Sequence, residues 1–422
     1  MPNLEQTDVL VIGGGPTGSL AAYQAAKQGC RTILVEEHSR AGIPDHCAGL
    51  IGYKGLERLL KPIPAPIIQN KISKANLISP GGHNFTVVHK KSMLVVDRPK
   101  LDQELLERAV KQGAELLSNT HIKSLIIKNK HIYGALGRRR DRNETQLIHT
   151  KVTINAEGVR ARLVEQAGLI GPTRDWVLPA FQYEFSTPVP DPEAIYICFG
   201  NSWAPGFFVW IIPFGAQHIR MGLALKRKYG PPKLYLDHFI KKHPICSIFK
   251  LSSPLRMFGG TVIASGPIPK TYSNGFLVVG DAAGQTKATS GGGVNIGGFC
   301  GKLAGKVAAK SVQAQDTRQK FLRQYQTLWK SHFGRELTLM TLFRKNFAGK
   351  VDDKLLENGF QTAIDSNLQE ALSKLPDVDL YAFSFFKNLL TPNFISLGLK
   401  KLPSILKTVL SPIERRNKRN EP

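Results

Sequence analysis

Apolar and polar positions at the start of the chain predict a β-α-β unit. Residues 8–12 form an apolar run typical of a buried strand, residues 16–28 have helical spacing, and residues 32–35 form a second apolar run. The unit spans about 30 residues, which is the length that two parallel strands and a crossover helix require.

The same periodicities continue downstream. Residues 71–79 and 84–89 flank Pro80-Gly-Gly82 and predict a hairpin, and residues 98–113 predict a helix. Three further strand-like stretches predict a meander: 122–128, 131–137 and 146–154.

The nucleotide-binding unit is predicted to be interrupted and completed late in the chain. Residues 170–262 are rich in strand-like runs, residues 275–279 return as an apolar strand before a glycine-rich turn and a helix, and the pattern after residue 315 is mainly helical. We therefore expect an α/β (α+β) fold with a Rossmann-like domain interleaved with an antiparallel-sheet substrate domain. The expected segments are 1–62, 93–165 and 262–315 for the first domain, 63–92 and 166–261 for the second, and 316–422 for C-terminal helices.

Charge and cysteine content narrow the setting of the protein. The 422 residues include 57 Lys+Arg against 32 Asp+Glu, a net charge of +25 that favours an anionic partner such as acidic lipid, acidic protein or nucleic acid. The five cysteines contain no C-x-x-C pair, so neither a disulfide framework nor a metal site is expected. Without a signal-like start or an uncharged run of about 18 apolar residues, the chain is expected to be cytoplasmic and not to span a bilayer.

The first motif is a glycine loop between the first strand and helix. Gly13-Gly-Gly15-Pro-Thr17-Gly18 matches G-x-G-x-x-G, and Glu36 ends the next strand. The glycines allow a pyrophosphate to approach the helix N-terminus, and Glu36 would accept the adenosine ribose hydroxyls. Strand, helix and acid in this register predict a dinucleotide site, although the loop alone does not separate FAD from NAD.

A second motif follows the late strand. Gly280-Asp281-Ala-Ala-Gly284 is followed by Ser290-Gly-Gly292-Gly293-Val294 at the start of another helix. Asp281 can bond the ribityl hydroxyls, while the glycines and the helix N-terminus approach the flavin pyrophosphate and ring edge. The two motifs together favour FAD over NAD.

Three segments resemble the geranylgeranyl reductase family. Pro44-Asp-His-Cys47-Ala48-Gly49 is similar to its P-x-x-C-x-G signature, residues 280–293 to its longer G-D motif, and residues 205–213 to its Y-x-W-x-F-P element. In that last element Phe208 and Ile212 replace the usual residues, which puts any tyrosine hydroxyl contribution in doubt. Two other departures are Ala156-Glu157-Gly158 in place of A-D-G, and Ala288 in place of a proline.

The resemblance implies further site residues. Arg98 is expected to contact FAD, the strand residue Ile122 to hold the adenine through backbone groups, and Cys47, Ala48 and Gly49 to lie near the isoalloxazine. For Cys47, backbone contact with FAD is favoured over acid catalysis, and a small buried turn residue is the alternative.

An aromatic strand follows the middle of the chain. Phe208 and Trp210 alternate, so both point to one face, and with Pro213 they are predicted to line an apolar substrate channel. The alternative is ordinary hydrophobic core.

The C-terminal tail has a basic amphipathic pattern. Apolar residues from Ile395 to Ile413 recur at near-helical spacing beside seven basic residues: Lys400, Lys401, Lys407, Arg415, Arg416, Lys418 and Arg419. A segment of this kind lies on anionic membranes or packs on the substrate domain, and both alternatives stay open here.

The function that the resemblance implies is reduction of C=C bonds in geranylgeranyl chains on isoprenoid ether (phospho)lipids, by hydride from reduced FAD and a proton from a nearby acid. The expected partners are an isoprenoid lipid, an anionic membrane contacted peripherally, and an electron donor that is ferredoxin, NAD(P)H or a deazaflavin; no nucleic acid is expected. Two alternatives are a flavin-dependent monooxygenase or halogenase and a non-catalytic prenyl-binding carrier.

Overall fold

The strands of the protein form two sheets. A computed structural model describes residues 3–346, 351–374 and 379, and within them two eight-stranded sheets are present. In chain order the strands are β1 Asn3–Ile12, β2 Thr32–Val35, β3 Leu50–Gly52, β4 Ile68–Ile78, β5 Asn84–Val96, β6 Ala114–Leu117, β7 Thr120–Lys128, β8 His131–Arg139, β9 Glu144–Asn155, β10 Val177–Ser186, β11 Ala194–Cys198, β12 Val209–Pro213, β13 His218–Ala224, β14 Arg256–Ile263, β15 Tyr272–Ser273 and β16 Phe276–Val278.

Helices cover both sheets. They are α1 Pro16–Lys27, α2 Tyr53–Leu59, α3 Arg98–Lys111, α4 Arg162–Gln166, α5 Pro232–Lys242, α6 Val294–Gln313, α7 Gln319–Trp329, α8 Arg335–Asn346, α9 Asp353–Asp365 and α10 Leu368–Ser373. A single π-helical turn, Lys330–Gly334, joins α7 to α8.

The first sheet is the predicted nucleotide-binding sheet. Its strand order is β15-β16-β9-β1-β2-β6, and β1 pairs in parallel with both β2 and β9. Parallel strands are buried on both faces, and this explains the continuous apolar runs of β1 and β2. Val9 and Val11 pack in one core with α1 and α6, whereas Leu10 and Ile12 pack in another with the β7–β8 hairpin and α4.

The second sheet is mainly antiparallel. Its order is β14-β10-β13-β12-β11-β4-β5-β3, with one parallel pair between β11 and β4. One face packs on Leu236 and Phe239 of α5, and the opposite face lines a large cavity.

The predicted fold class is confirmed, and several elements add detail. β7, β8 and β9 form the expected meander, but β9 also continues into the centre of the first sheet beside β1. Helix α5 lies within the region where the sequence pattern indicated strands. β3 and the end of β5 belong to the second sheet, whereas the sequence pattern assigns residues 1–62 and 93–165 to the first domain. The expected domain boundaries stay a prediction.

The C-terminal region is helical where it is described, from α7 to α10. The basic amphipathic tail at 395–419 lies outside the described residues. Across 3–346, 351–374 and 379, the structure contains no helix long and apolar enough to cross a membrane.

Candidate functional site

A cavity of about 1330 Å³ lies between the two sheets. Its lining combines the two glycine motifs and the Cys47 loop at one side with the inner face of the second sheet and the apolar face of α9. Polar groups suited to a nucleotide and an apolar surface therefore share one cavity.

The first glycine loop shapes the N-terminus of α1. Gly13 has φ +107°, and a Cβ there would lie 2.4 Å from the Ala156 carbonyl oxygen, so only glycine fits. A Cβ at Gly15 would meet nothing within 4 Å, and no side chain caps α1. The helix therefore presents open backbone N–H groups to the cavity, as phosphate binding requires.

Glu36 lies next to this loop at the end of β2. Its Oε2 accepts the Gly14 N–H at 2.7 Å, and its Oε1 accepts the His38 N–H at 2.9 Å. The carboxylate is buried and fixed, which suits an acceptor for ribose hydroxyls.

The second glycine motif meets the first through Thr17. A Cβ at Gly280 would lie 2.9 Å from Thr17 Oγ1. Burial raises the pKa of Asp281, and the positive charge of Arg98 partly offsets this. Within the described residues the Asp281 carboxylate has no hydrogen-bond partner, and no side chain caps α6 at Gly293.

Arg98 connects this motif to the Cys47 loop. Its guanidinium donates to both Asp102 oxygens, at 3.0 and 3.1 Å. Burial alone would lower the pKa of Arg98, but the Asp102 charge and contact with Cys47 outweigh burial and raise that pKa. Arg98 is therefore a fixed cation beside Asp281 and Cys47.

The Cys47 loop is fixed by backbone contacts. The Cys47 Sγ accepts the Gly49 N–H at 3.3 Å, and the Ala48 carbonyl accepts from Arg220 Nη1 at 3.1 Å. Gly49 has φ +79°, and a Cβ there would lie 2.7 Å from Arg220 Nη1. Arg220 is itself held by Glu184 at 2.8 Å, so a buried ion pair supports the loop from the second sheet.

The aromatic strand contributes to the cavity wall. Phe208 and Trp210 both line the cavity, with ring centroids 6.2 Å apart. Trp210 Nε1 donates to Gln182 Oε1 at 3.3 Å, which satisfies its polar atom within an apolar wall.

Most of the predicted site residues gather at this cavity. Its lining includes Gly15, Thr17, Gly18, Cys47, Ala48, Gly49, Arg98, Phe208, Trp210, Gly280, Asp281, Gly292, Gly293 and Val294. Gly13 begins the first loop and Glu36 accepts the Gly14 N–H of that loop, but neither is in the lining. Ile122 is a buried core residue on β7, and Pro213 ends β12, with neither in the lining.

Four polar residues at the site were not among those predicted from the sequence. Asp102, one helical turn after Arg98, was detectable as an (i, i+4) pair. Lys287 and Asn295 both contact Asp379, with Lys287 Nζ 2.7 Å from Asp379 Oδ1. Asp379 is far from both in sequence, and no local pattern predicted this contact.

The residues present fit FAD. Two uncapped helix N-termini, the open space at Gly15 and the unpartnered Asp281 carboxylate face one cavity, and these are the groups that a pyrophosphate and a ribityl chain require. In the described part of the chain, no cluster of three His, Cys, Asp or Glu residues could hold a metal ion.

The structural neighbours share this fold. A geranylgeranyl bacteriochlorophyll reductase-like protein from Thermoplasma acidophilum superposes with a TM-score of 0.84 at 24% identity, covering 96% of this chain and 100% of that one. The flavin-dependent brominase Bmp2 superposes with a TM-score of 0.70 at 16% identity, covering 97% and 100%. At these identities the likeness shows the fold alone.

Sequence relatives identify the family to which the chain belongs. A family model described as FAD binding domain matches residues 6–309. Digeranylgeranylglycerophospholipid reductase of Methanocaldococcus jannaschii is 34% identical over 95% of this chain and 96% of its own length, and that of Methanococcus vannielii is 30% identical over 96% and 97%. The chain therefore belongs to the digeranylgeranylglycerophospholipid reductase family of FAD-binding proteins.

Proposed function

We propose that this chain is an FAD-dependent reductase that saturates C=C bonds of geranylgeranyl chains on isoprenoid ether phospholipids. The observation that carries the proposal is the shared cavity, in which the FAD-binding motifs open onto a wall of apolar side chains. The names of the relatives supply the substrate class, since both are digeranylgeranylglycerophospholipid reductases.

The chemistry balances with two hydrogens for each double bond. When bound, reduced FAD would supply a hydride to one alkene carbon and a proton would reach the other, which would saturate the bond and oxidise the flavin. An isolated alkene is unactivated, so the protein must exclude water and position the chain. The inner face of the second sheet supports that role, because Ile195, Ile197 and Trp210 line the cavity.

Cys47 is the proposed source or carrier of the proton. Its half-buried thiol lines the cavity beside the Arg98 guanidinium. Backbone contact between the Cys47–Gly49 loop and FAD is proposed as well. Cys47→Ser should retain FAD, and if the thiol delivers the proton, it should slow alkene reduction by about 100-fold or more.

The electron donor is proposed from the need to reduce the flavin after each turnover, and the membrane contact from the net charge of the chain. Each turnover requires a donor that reduces the flavin again, and ferredoxin, NAD(P)H and a deazaflavin are the candidates. The net charge of +25 supports both an acidic donor protein and an anionic membrane surface.

Product analysis tests the proposed reaction. Purified holoenzyme, dithionite and a digeranylgeranyl phospholipid are incubated without oxygen, and the lipid is then extracted for mass spectrometry. We expect a gain of two mass units per reduced bond. Lipid that binds but keeps its original mass would instead support the non-catalytic carrier.

A further inference from the structure

Helix α9 covers the cavity and is tied to the second sheet at two places. Asp353 Oδ1 accepts the Asn201 N–H at 2.7 Å and the Asn201 side-chain amide at 2.9 Å. Glu357 accepts from Ser79 Oγ at 2.8 Å and from the Gly81 N–H at 2.7 Å, and it also contacts His83. These contacts hold α9 against the β4–β5 turn and the loop after β11.

A row of aromatic rings runs under α9. Phe360 of α9 lies 5.6 Å from Phe85 and 5.6 Å from Phe199 between ring centroids. Phe199 lies 5.9 Å from Phe208, which contacts Trp210 in turn. All five residues line the cavity, and Phe360 is the member that joins the helix to the sheet.

Strand register places this row opposite the Cys47 loop. Gly49 accepts from the Val96 N–H at the end of β5, whereas Phe85 is near the beginning of β5. On β4, Ile68 pairs with Val96 and Leu77 pairs with Phe85, which separates the two levels by nine residues, or about 30 Å at ~3.3 Å per residue. The cavity therefore extends over the length of several isoprene units between the Cys47 loop and Phe360.

We propose that Phe360, packed on Phe85 and Phe199, closes the far end of the prenyl channel and sets how far a chain enters. This inference rests on the proposed function and names the residue that determines substrate length. The polar contacts of Asp353 and Glu357 keep the closing ring in place from outside the channel. The position of the chain end against Phe360 then determines which double bond lies beside the flavin.

Removing the ring should extend the channel. Phe360→Ala leaves space bordered by two other rings, and the α9 contacts of Asp353 and Glu357 are retained, so the site has limited freedom to collapse. In an apolar pocket one methylene of misfit changes discrimination by about 10-fold to 200-fold, and a terminal isoprene unit is larger than one methylene.

The test compares chains of 20 and 25 carbons on the same glycerophospholipid head group. The matched control is Ile364→Ala, a truncation on the same helix of a residue outside the cavity lining. Fully saturated lipids are titrated into oxidised holoenzyme and followed by flavin absorbance, and unsaturated lipids are used to measure kcat/KM and the positions of the remaining double bonds. Phe360→Leu is measured alongside, so that a folded variant with a smaller side chain is available if the alanine variant loses FAD.

The expected result is a rise of at least about 10-fold in the preference for 25 over 20 carbons, in both binding and kcat/KM, for Phe360→Ala and a smaller rise for Phe360→Leu. Ile364→Ala should change the preference by less than about 3-fold. The inference is overturned by the following result: the wild-type enzyme reduces the 20-carbon chain, and folded Phe360 variants show the same chain-length preference and the same pattern of remaining double bonds as the wild type. If the wild-type enzyme reduces neither chain, the proposed function itself fails.

Discussion

Glu36 and Glu37 are neighbours in sequence but their carboxylates have different partners. Glu36 accepts the Gly14 N–H in the first glycine loop, whereas Glu37 lies 3.1 Å from His121 Nδ1 and 3.1 Å from Arg140 Nη2 at the surface. Replacing Glu36 by Gln therefore removes a negative charge at the proposed FAD site, and replacing Glu37 by Gln removes the same charge one residue away.

Glu36→Gln is expected to weaken FAD binding by about 10-fold to 100-fold, since a charge-assisted hydrogen bond to ribose contributes about 1.5–3 kcal/mol. Titration of FAD into apoprotein, followed by flavin fluorescence, measures the change. Glu37→Gln should stay within about 2-fold. Equal losses in both variants would argue against a direct role for Glu36.

The ionised Asp281 carboxylate is predicted to lower the stability of the apoprotein and to favour FAD binding. Burial raises the pKa of Asp281 above its unfolded value, so ionisation of this carboxyl opposes folding. That cost is absent below the ordinary carboxyl range near pH ~4 and grows as the pH rises toward the raised pKa.

Asp281→Asn should therefore stabilise apoprotein by about 1–2 kcal/mol at neutral pH, with a difference that shrinks toward pH ~4. The same variant should bind FAD more weakly because a carboxylate acceptor is lost. Urea unfolding of both apoproteins between these pH values gives the comparison. A stability difference that does not vary with pH would show that ionisation of Asp281 is not the cause.

Single residues with a local signature were the most predictable. The loop at Gly13–Gly18, Glu36 and Asp281 follow strands in a fixed register. Residues 15–18 of the loop and Asp281 line one cavity, and Glu36 contacts Gly14 of the same loop. The partners Arg220 and Asp379 were not predicted, because they are recognised by what they contact in space, whereas Asp102 has a local (i, i+4) signature with Arg98. Ile122 stays a prediction, with its side chain in the core beside β2.

At the level of elements, α1 and α6 approach each other unusually closely. A Cβ at Gly301 would lie 2.2 Å from the Thr17 carbonyl oxygen, and one at Gly305 would lie 2.3 Å from that of Ala21. Glycines on α6 thus allow the two helices whose N-termini face the cavity to pack backbone against backbone.

Gly301→Ala should force α1 and α6 apart, lowering stability by about 1–3 kcal/mol and weakening FAD binding together. The control is Gly359→Ala on α9, where an added Cβ meets nothing within 4 Å and should be neutral or stabilising by up to about 1 kcal/mol. Thermal unfolding and FAD titration measure both variants. A Gly301→Ala protein with unchanged FAD affinity would contradict this account of helix packing.

Elements defined by local periodicity were predicted better than their assembly. The β-α-β unit and the β4–β5 hairpin follow from spacing and turn residues, and both are present. The position of α9 over the cavity was not predicted, since it depends on contacts such as Glu357 with Ser79, separated by more than two hundred residues.

For the whole molecule, the charge of +25 predicts salt-sensitive binding to anionic vesicles. The full chain should sediment with anionic vesicles at low salt and dissociate from them as the salt concentration rises. It should not bind neutral vesicles. Replacing Lys400, Lys401 and Lys407 by Glu should weaken binding if the tail is the contact. The same number of changes at the exposed Lys123, Lys128 and Lys130 is the control, and equal losses would assign the effect to net charge alone.

In the proposed reaction, FAD bound in this cavity reduces a geranylgeranyl chain. The most direct measurement is anaerobic stopped-flow mixing of reduced holoenzyme with digeranylgeranyl phospholipid, followed at the oxidised-flavin absorbance. One flavin should be oxidised for each double bond saturated, and the fully saturated lipid should oxidise none. Flavin that stays reduced in the presence of bound unsaturated lipid would contradict the proposed reaction.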